Sequence, residues 1–475
     1  MNGSSYLLDP RVGWVLLLLF GAVWVALGLY WGRRARSLDG YMLAGRNVGL
    51  ALGTATAVAT WVTSNTTMLA PQFALQMGVW GMLAYSTASI GLFLFAPVAE
   101  RIRQVMPRGY TSAEFFRLRY GPTAHRLFLV ISLFYGLTWL ISMAMAGGIL
   151  LEALSGIPYA QGMTVVLTVC VLYTLFGGLY AVIGTDFIQS VIILIGIVAV
   201  GIAVLSREPA ADIHARLELA RPALLNALFP AALMSVFNNL LFGVGEVFHS
   251  NVWWSRAFAM RRGVGRRAYA LAGLIWLPLP VAAGFMGLAA PALGVHVSRP
   301  DMVGPLVAGL VLGEIGAVVV FILVISSLAS SIDSLLAATS DLVLKEIVQP
   351  VFLPHASEAR LRKLSGYVVV GLGIFAWAVC LPKVGTLATV LFFAGPLVGS
   401  TIWPVVAGLY WRETNPAGAS WAMVLGSGGG LIAYFTLGWY TGALVGTAVS
   451  LLVVVASTRL FPRPFAWARL AGEKV

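Results

Sequence analysis

The sequence predicts an all-α polytopic membrane protein with about 13 transmembrane helices, each long enough to cross a bilayer. Of its 475 residues, 59% are hydrophobic and only 10% are charged, whereas about a quarter of the residues in a soluble domain are charged. The mean hydropathy is +0.90, and apolar runs recur along the whole chain. A soluble core of this size could not bury so much apolar sequence, so a single membrane domain is expected.

The apolar runs can be placed in order along the chain, using about 20 residues as the length of one crossing. The ninth run is too long for one straight span and is expected to continue past the membrane as a helix or loop. No cleavable signal peptide is expected, because no basic segment precedes the first run and no small-residue site follows it. The predicted spans are residues 12–32, 48–72, 78–98, 127–154, 160–183, 186–206, 228–254, 268–292, 303–344, 365–381, 384–411, 418–437 and 440–460.

The basic residues sort strongly between alternate loops. Twenty-four of the thirty Lys and Arg residues fall in one set of loops and the C-terminal tail, and six fall in the other set. The positive-inside rule places the richer side in the cytoplasm, with the N-terminus outside, the C-terminus inside and an odd number of spans. The net charge of +12 is then an orientation signal in a bacterial-type inner (plasma) membrane. Contact with anionic membrane lipid is a second effect, and nucleic-acid binding is not expected.

The second run is polar at its centre. Between Ala59 and Thr67 it carries five hydroxyl side chains and Asn65, and Pro71 follows. Irregular backbone is tolerated in a membrane only inside protein or around a cavity, and transporters use broken helices there to hold solutes and ions. Free carbonyls and hydroxyls are ligands for a small hard cation. Hydroxyls that merely bond to their own helix remain the alternative.

Two later runs place carboxylates within apolar sequence. Glu246 lies among glycines in the seventh run, and an intramembrane carboxylate is a functional-site hypothesis by default, with a structural ion pair as the alternative. His249 and Arg256, farther along, could lie at the cytoplasmic interface. In the ninth run Ser330 and Asp333 are three residues apart and share a helix face. Such hard oxygen ligands suit Na⁺ better than a soft metal, and small residues for helix packing are the alternative.

Asp186 follows the Gly177–Gly178 pair at the predicted start of the sixth span. It could cap that helix at the interface or bind a cation, and spacing alone does not decide between the two.

Several segments resemble the sodium/solute symporter family between about residues 40 and 420. Residues 177–189 resemble the motif GG-x-x-A-V-x-x-T-D-x-x-Q, and residues 330–334 match S-S-x-D-S without a gap. Residues 254–257 resemble W-Q-R-A, with Ser255 in place of Gln, and Glu346 falls where the family often has an acidic residue. Further fits are Pro396, Gly399, Arg412 and Gly418–Ala419.

The resemblance implies a transporter, not an enzyme, with the leucine-transporter-like fold of two inverted five-helix repeats containing discontinuous helices. The whole chain is then one membrane transport domain. Residues 1–47 form an extra first helix and loop, 48–206 the first repeat, 228–415 the second repeat, and 416–475 two C-terminal helices and a tail.

The resemblance also implies a principal Na⁺ site, with Na⁺ as the coupling ion. Asp186 matches a carboxylate linked to a further cation site in some members, and Asp333 joins this cation-binding set. A register four residues earlier on the ninth span would select Leu323, Ser326 and Ser327, but the later one also aligns Asp333 and Glu346. The implied ligands are backbone oxygens of Ala59, Val62 and Ser327 and the hydroxyls of Ser330 and Ser331.

The predicted solute wall has aromatic and amide groups and no evident basic residue. That disfavours a strongly anionic solute, which would require an Arg clamp. Residues 111–126 and the W-x-R-A segment are similar to urea-type permeases, although those depart from T-D-x-x-Q, which this chain keeps. Urea or a related small amide is therefore favoured, followed by a zwitterionic amino acid such as proline, and then a sugar. The wall residues are Trp61, Thr63, Asn65, Tyr135, Trp139, Glu246, Asn251 and Trp253.

The expected function is Na⁺-coupled symport of a small polar solute by alternating access, in a monomer or weak dimer. Proton coupling stays open, because Asp186, Glu246 and Asp333 could carry protons. A channel would need a continuous polar pore, whereas the polar residues cluster at mid-membrane. A sensor function, which some relatives add through kinase domains, is not expected.

Overall fold

A computed structural model describes residues 6–35, 37–226, 228, 230–383, 385 and 387–472. Helices form nearly all of this part of the chain, and its one β-bridge, between Val48 and Met260, is isolated. The helices are α1 (Pro10–Gly32), α2 (Leu38–Leu43), α3 (Leu50–Trp61), α4 (Ser64–Ser86), α5 (Ser89–Val105), α6 (Ser112–Tyr120), α7 (Pro122–Ser155), α8 (Tyr159–Arg207), α9 (Ala210–Ala220), α10 (Pro230–His249), α11 (Asn251–Ala259), α12 (Gly265–Trp276), α13 (Pro278–Ala289), α14 (Val303–Val343), α15 (Glu358–Cys380), α16 (Leu387–Phe392), α17 (Gly395–Tyr410), α18 (Pro416–Leu437) and α19 (Gly442–Leu460).

Ten helical stretches in the described residues are long and apolar enough to cross a membrane. Ten is not a count of crossings, because the stretch Tyr159–Arg207 has 49 residues and Pro300–Phe352 has 53, against about 20 for one crossing. The chain is therefore a multi-pass membrane protein, and the number of 13 spans stays a prediction.

Glycines in the left-handed region bend three of the long helices. Gly78 in α4, Gly178 in α8 and Gly313 in α14 have φ of 69°, 52° and 71°, values that a residue with a Cβ rarely adopts. The division between the fifth and sixth spans was thus predicted slightly too late, since α8 turns at Gly178 and is helical through residues 184 and 185. The predicted ninth run bends at Gly313 and passes into a π-helical turn at Leu344–Phe352.

Two helices are interrupted where the sequence is polar. Val62 (φ −78°, ψ 81°) and Thr63 (φ −87°, ψ 171°) separate α3 from α4. Ser250 (φ −69°, ψ 130°) separates α10 from α11. The predicted discontinuous helices are therefore present. Helix α3 packs against α8 and α12, and α14 packs against α8, α7 and α4, so these neighbours surround the first break.

The loops that were grouped by charge meet at one end of the molecule. Arg46 donates from Nη1 to the carbonyl of Gly109 over 2.9 Å, and Arg119 donates from Nε to the carbonyl of Gly408 over 3.1 Å. These contacts join loops that alternate along the chain, as expected if all of them lie on one side of a membrane.

Gly287 marks a backbone contact between α13 and α4. A Cβ at Gly287 would lie 1.9 Å from the carbonyl oxygen of Pro71, so Gly287→Ala is expected to push the two helices apart. Such overpacking costs about 1–3 kcal/mol, which thermal unfolding of the purified protein in detergent should register as a lower midpoint.

Gly371→Ala in α15 is the matched control, because a Cβ there meets no atom within 4 Å. Alanine favours a helix interior by about 0.5–1 kcal/mol over glycine, so this variant should melt at the wild-type temperature or above. Equal losses in the two variants would contradict the role assigned to the α4–α13 contact.

Candidate functional site

The end of α3 presents backbone carbonyls to the protein interior. The amide of Val62 closes the last helical bond with the carbonyl of Val58 over 2.8 Å. Thr63 then leaves the helix with extended backbone, so the carbonyls of the last turn, including that of Ala59, are left to side chains, water or ions.

A turn of α14, residues 327–331, here called the serine turn, lies level with this end of α3. The hydroxyl of Ser331 donates to the carbonyl of Ser327 over 2.9 Å and lies 3.4 Å from the carbonyl of Thr60. Leu323, from the earlier register, lines a small cavity with Thr67 and so lies beside α4, beyond the break. The geometry places Ser331 of the later register beside the end of α3, while Ser326 of the earlier register has a buried hydroxyl without a hydrogen-bond partner among the described residues.

Asp186 is fully buried inside α8. Its Oδ2 accepts from Thr56 Oγ1 over 2.5 Å, and its Oδ1 accepts from Ser330 Oγ over 2.6 Å. An interfacial helix cap was one of the two predicted roles, and it is wrong, because the helix continues on both sides of Asp186 from its bend at Gly178. Asp186 instead joins α3, α8 and α14 at the centre of the fold.

Arg256 is also fully buried, so the interfacial position that the sequence left open for it is wrong. Its Nη2 lies 3.2 Å from Asp186 Oδ2 and donates to Thr60 Oγ1 and Ser334 Oγ, each over 2.7 Å. Its Nε donates to Thr56 Oγ1 over 3.0 Å. A buried charge is tolerable when it is paired and hydrogen-bonded. A positive charge of the protein itself, the guanidinium of Arg256, therefore already lies beside Asp186.

Asp333 lacks such compensation. Its Oδ1 accepts from Ser334 Oγ over 3.2 Å, while its buried Oδ2 has no hydrogen-bond partner among the residues that the structure describes. Within the same residues no basic side chain forms an ion pair with it. An unpaired carboxylate is costly in this setting, so Asp333 has unused capacity for a positive charge.

Aromatic rings pack around the break between α3 and α4. The ring centroid of Trp61 lies 4.8 Å from that of Trp253 and 5.7 Å from that of Trp276. Tyr85 continues the row, 6.0 Å from Trp276. Trp276 and Tyr85 were not predicted as wall residues, because a lone aromatic residue in an apolar run has the pattern of an ordinary core residue.

A second part of the predicted wall lies between α7 and α10. The ring of Tyr135 lies 5.6 Å from Trp139 and 4.8 Å from His249, and its hydroxyl faces the carboxylate of Glu246. His249 is buried, not interfacial, with Nδ1 2.7 Å from the carbonyl of Gly245. Tyr135 Oη and His249 Nε2 lack hydrogen-bond partners among the described residues, so both could bind a polar solute.

The remaining polar wall residues differ in what they offer. Thr63 caps α4 through its hydroxyl, and the buried Oδ1 of Asn65 has no partner in the described part of the chain. Asn251 accepts from the amide of Ser112 and donates to the carbonyl of Ala338, each over 3.0 Å. In this conformation Asn251 joins α6 to α14, and these contacts use one N–H and one acceptor position of its amide.

Glu346 holds α6 and α7 against the π-helical turn. It accepts from Thr111 Oγ1 over 2.6 Å and lies 3.0 Å from His125 Nε2 and 3.5 Å from Arg117 Nε. Burial raises the pKa of the nearby Glu114 carboxyl on α6. This cluster lies at the end where the basic loops meet. Its contacts therefore link α6, in one of these loops, to the π-helical turn that follows α14.

The broken helices, the buried oxygens beside them and the aromatic wall define a membrane transporter of the discontinuous-helix class. The sequence profile of the Sodium:solute symporter family matches residues 41–426. The chain belongs to the sodium:solute symporter family, as its motifs predicted. It is therefore a symporter and not an enzyme.

Curated relatives include urea and proline transporters. The chain is 28% identical to "Urea-proton symporter DUR3" of Oryza sativa subsp. japonica, over 92% of this chain and 67% of the relative. It is 24% identical to "Urea active transporter" of Saccharomyces cerevisiae, over 89% and 63%, and so spans about two thirds of the length of these two relatives. It is 26% identical to "Osmoregulated proline transporter OpuE" of Bacillus subtilis, over 87% of each chain.

Solved structures share the fold at low identity. A Na⁺-coupled sialic acid symporter in a substrate-bound outward-open state has a TM-score of 0.80 at 16% identity, over 96% of this chain and 99% of that one. A nucleobase-cation-symport-1 family transporter has a TM-score of 0.53 at 18% identity, over 90% and 96%. The predicted leucine-transporter-like fold class is thereby confirmed.

Proposed function

We propose that this protein is a Na⁺-coupled symporter that moves a small polar solute by alternating access. The observation that carries the proposal is the approach of the serine turn of α14 to the open end of α3, where Ser331 Oγ lies 3.4 Å from the carbonyl of Thr60. The proposed Na⁺ ligands are the carbonyls of Ala59, Val62 and Ser327 and the hydroxyls of Ser330 and Ser331.

The hydrogen bonds of this region favour a cation bound by neutral oxygens. The hydroxyl of Ser330 donates its hydrogen bond to Asp186. The lone pairs of the hydroxyl oxygen therefore remain available for a cation. Among the described residues no group of three or more His, Cys, Asp or Glu side chains could hold a metal ion. Carbonyl and hydroxyl oxygens suit an alkali cation better than a transition metal.

The two buried carboxylates of this region take different roles in the proposal. Arg256 neutralises Asp186, so Asp186 supports the first site by holding Ser330 and does not itself need a second ion. Asp333 keeps an unpartnered oxygen and is the proposed place of any further coupling cation. Coupling to protons is the second candidate, because one relative is a urea-proton symporter.

Urea or a related small amide is the proposed solute, with proline as the alternative, since transporters of both are among the relatives. The buried wall offers flat aromatic faces at Trp61 and Trp253 and unpartnered polar groups at Asn65 and Tyr135. A small planar molecule with several N–H donors suits such a wall.

The membrane placement and domain division also belong to the proposal. The gathering of the basic loops at one end supports a bacterial-type inner membrane location with the C-terminus in the cytoplasm. Residues 48–206 and 228–415 are proposed as the two repeats, and the protein as a monomer or weak dimer.

Uptake into proteoliposomes tests the coupling. With a panel of urea, acetamide, proline and galactose, an inward Na⁺ gradient is expected to accelerate accumulation of at least one solute. An ionophore that collapses the gradient is the control. Acceleration by a proton gradient alone would favour the second candidate, and no effect of either gradient would contradict cation-coupled symport.

A further inference from the structure

Glu246 is the buried carboxylate of the solute wall. It is 5% exposed and lies one turn before the interruption of α10 at Ser250. No ion pair joins it to a basic side chain within the described residues, and His249, one turn away, is not within ion-pair distance either. Asp186, by contrast, is paired with Arg256. No described side chain would therefore compensate a negative charge on Glu246.

Two tyrosines lie near the carboxylate of Glu246. The hydroxyl of Tyr135 faces its carboxylate, and Tyr85 interacts with it electrostatically. Tyr85 leads through Trp276 to Trp61 in a row of tilted aromatic rings. Aromatic faces attract cations through the ring quadrupole, so the wall and its carboxylate favour positive charge together.

A guanidinium cation matches the chemistry of this wall. Trp61 and Trp253 pack directly against each other, with ring centroids 4.8 Å apart, whereas a flat molecule between two rings needs about 3.5 Å on each face, so the solute is expected beside this pair and not between its two rings. A guanidinium group is planar and presents paired N–H donors that match a carboxylate. Guanidinium has the planar shape of urea and also carries a positive charge.

We propose that the solute site also accepts planar guanidinium-type cations, with Glu246 as their counter-charge. The inference rests on the proposed function, because it assigns this wall to the solute. It adds a charged substrate class and makes Glu246 the residue that distinguishes charged from neutral solutes of the same shape.

Guanidinium chloride at low millimolar concentration is the probe, with KCl at equal concentration as its control. Guanidinium is expected to compete with the neutral solute that the wild type accumulates and to evoke an inward current in proteoliposomes on a solid-supported membrane. In Glu246→Gln its apparent affinity should fall at least tenfold, and by a larger factor than the apparent affinity for the neutral solute. Glu246→Asp, which keeps the charge, should retain most of the guanidinium response.

Glu314→Gln makes the same chemical change at an exposed position of α14 and should behave as wild type. Absence of competition and of current in the wild type would overturn the inference, and so would a Glu246→Gln variant that responds to guanidinium as the wild type does.

Binding is also followed by tryptophan fluorescence in detergent, without any gradient. If no gradient drives any solute but guanidinium still binds through Glu246, the coupling proposal fails while this assignment stands.

Discussion

Replacing Arg256 by methionine is expected to lower the free energy of unfolding by about 3–5 kcal/mol, the cost of leaving one partner of a buried ion pair alone. Arg256 and Asp186 both have side chains with no exposed surface. The variant would leave Asp186 charged with only hydroxyl partners, and the hydrogen bonds to Thr56, Thr60 and Ser334 would be lost with the guanidinium. Yield of folded protein and thermal unfolding in detergent measure the loss.

The double variant Asp186→Asn/Arg256→Met separates pairing from simple loss of side-chain volume. It removes both charges, so it should be more stable than Arg256→Met alone. Arg262→Met is the matched control, because Arg262 is exposed and a surface change of this kind costs less than about 0.5 kcal/mol. A double variant as unstable as the sum of its two single variants would show that the pair is not coupled.

Ser331→Ala is expected to raise the Na⁺ concentration for half-maximal uptake at least tenfold. A hydrogen-bonding or ligating contact to a charged group contributes about 1.5–3 kcal/mol, and about 1.4 kcal/mol corresponds to a factor of ten. The measurement is the initial rate of solute uptake into proteoliposomes as a function of Na⁺ concentration, with the solute concentration held constant.

Ser155→Ala is the matched control for this experiment. Ser155 is buried, and its hydroxyl donates to the carbonyl four residues earlier over 2.8 Å, as Ser331 does over 2.9 Å, but it lies at the far end of α7. Its replacement should leave Na⁺ activation unchanged. Unchanged activation in Ser331→Ala would instead exclude the later register, and Ser326→Ala would then test the earlier one.

Much of the fold could be predicted from sequence, because a bilayer imposes a strong rule. Backbone groups in lipid must bond within their own segment, so hydropathy reveals the spans and a polar centre reveals an interrupted helix. The interruptions at Val62 and Ser250 were predictable for that reason. The bend at Gly178 was placed too late, since a glycine pair in an apolar run indicates flexibility without showing where the helix turns.

The aromatic wall was only partly predictable. Trp61 and Trp253 adjoin the polar interruptions and were recognised, whereas Trp276 and Tyr85 lie away from both interruptions in sequence. Asn251 was predicted from its polar position to contact the solute, and the structure adds a second role, because its amide joins Ser112 to Ala338. Which side of a helix faces a cavity depends on the neighbouring helices, and a single sequence does not contain them.

The amino-acid sequence by itself determined that this chain is a multi-pass symporter, since hydropathy and the T-D-x-x-Q and S-S-x-D-S motifs are local properties of the chain. It could not decide whether Asp186 caps a helix or binds a cation. Only the tertiary structure excluded the cap, and it brought Arg256, seventy residues away along the chain, to 3.2 Å from Asp186 Oδ2. Electrostatic compensation depends on distance in space, and helices that are remote in sequence set that distance.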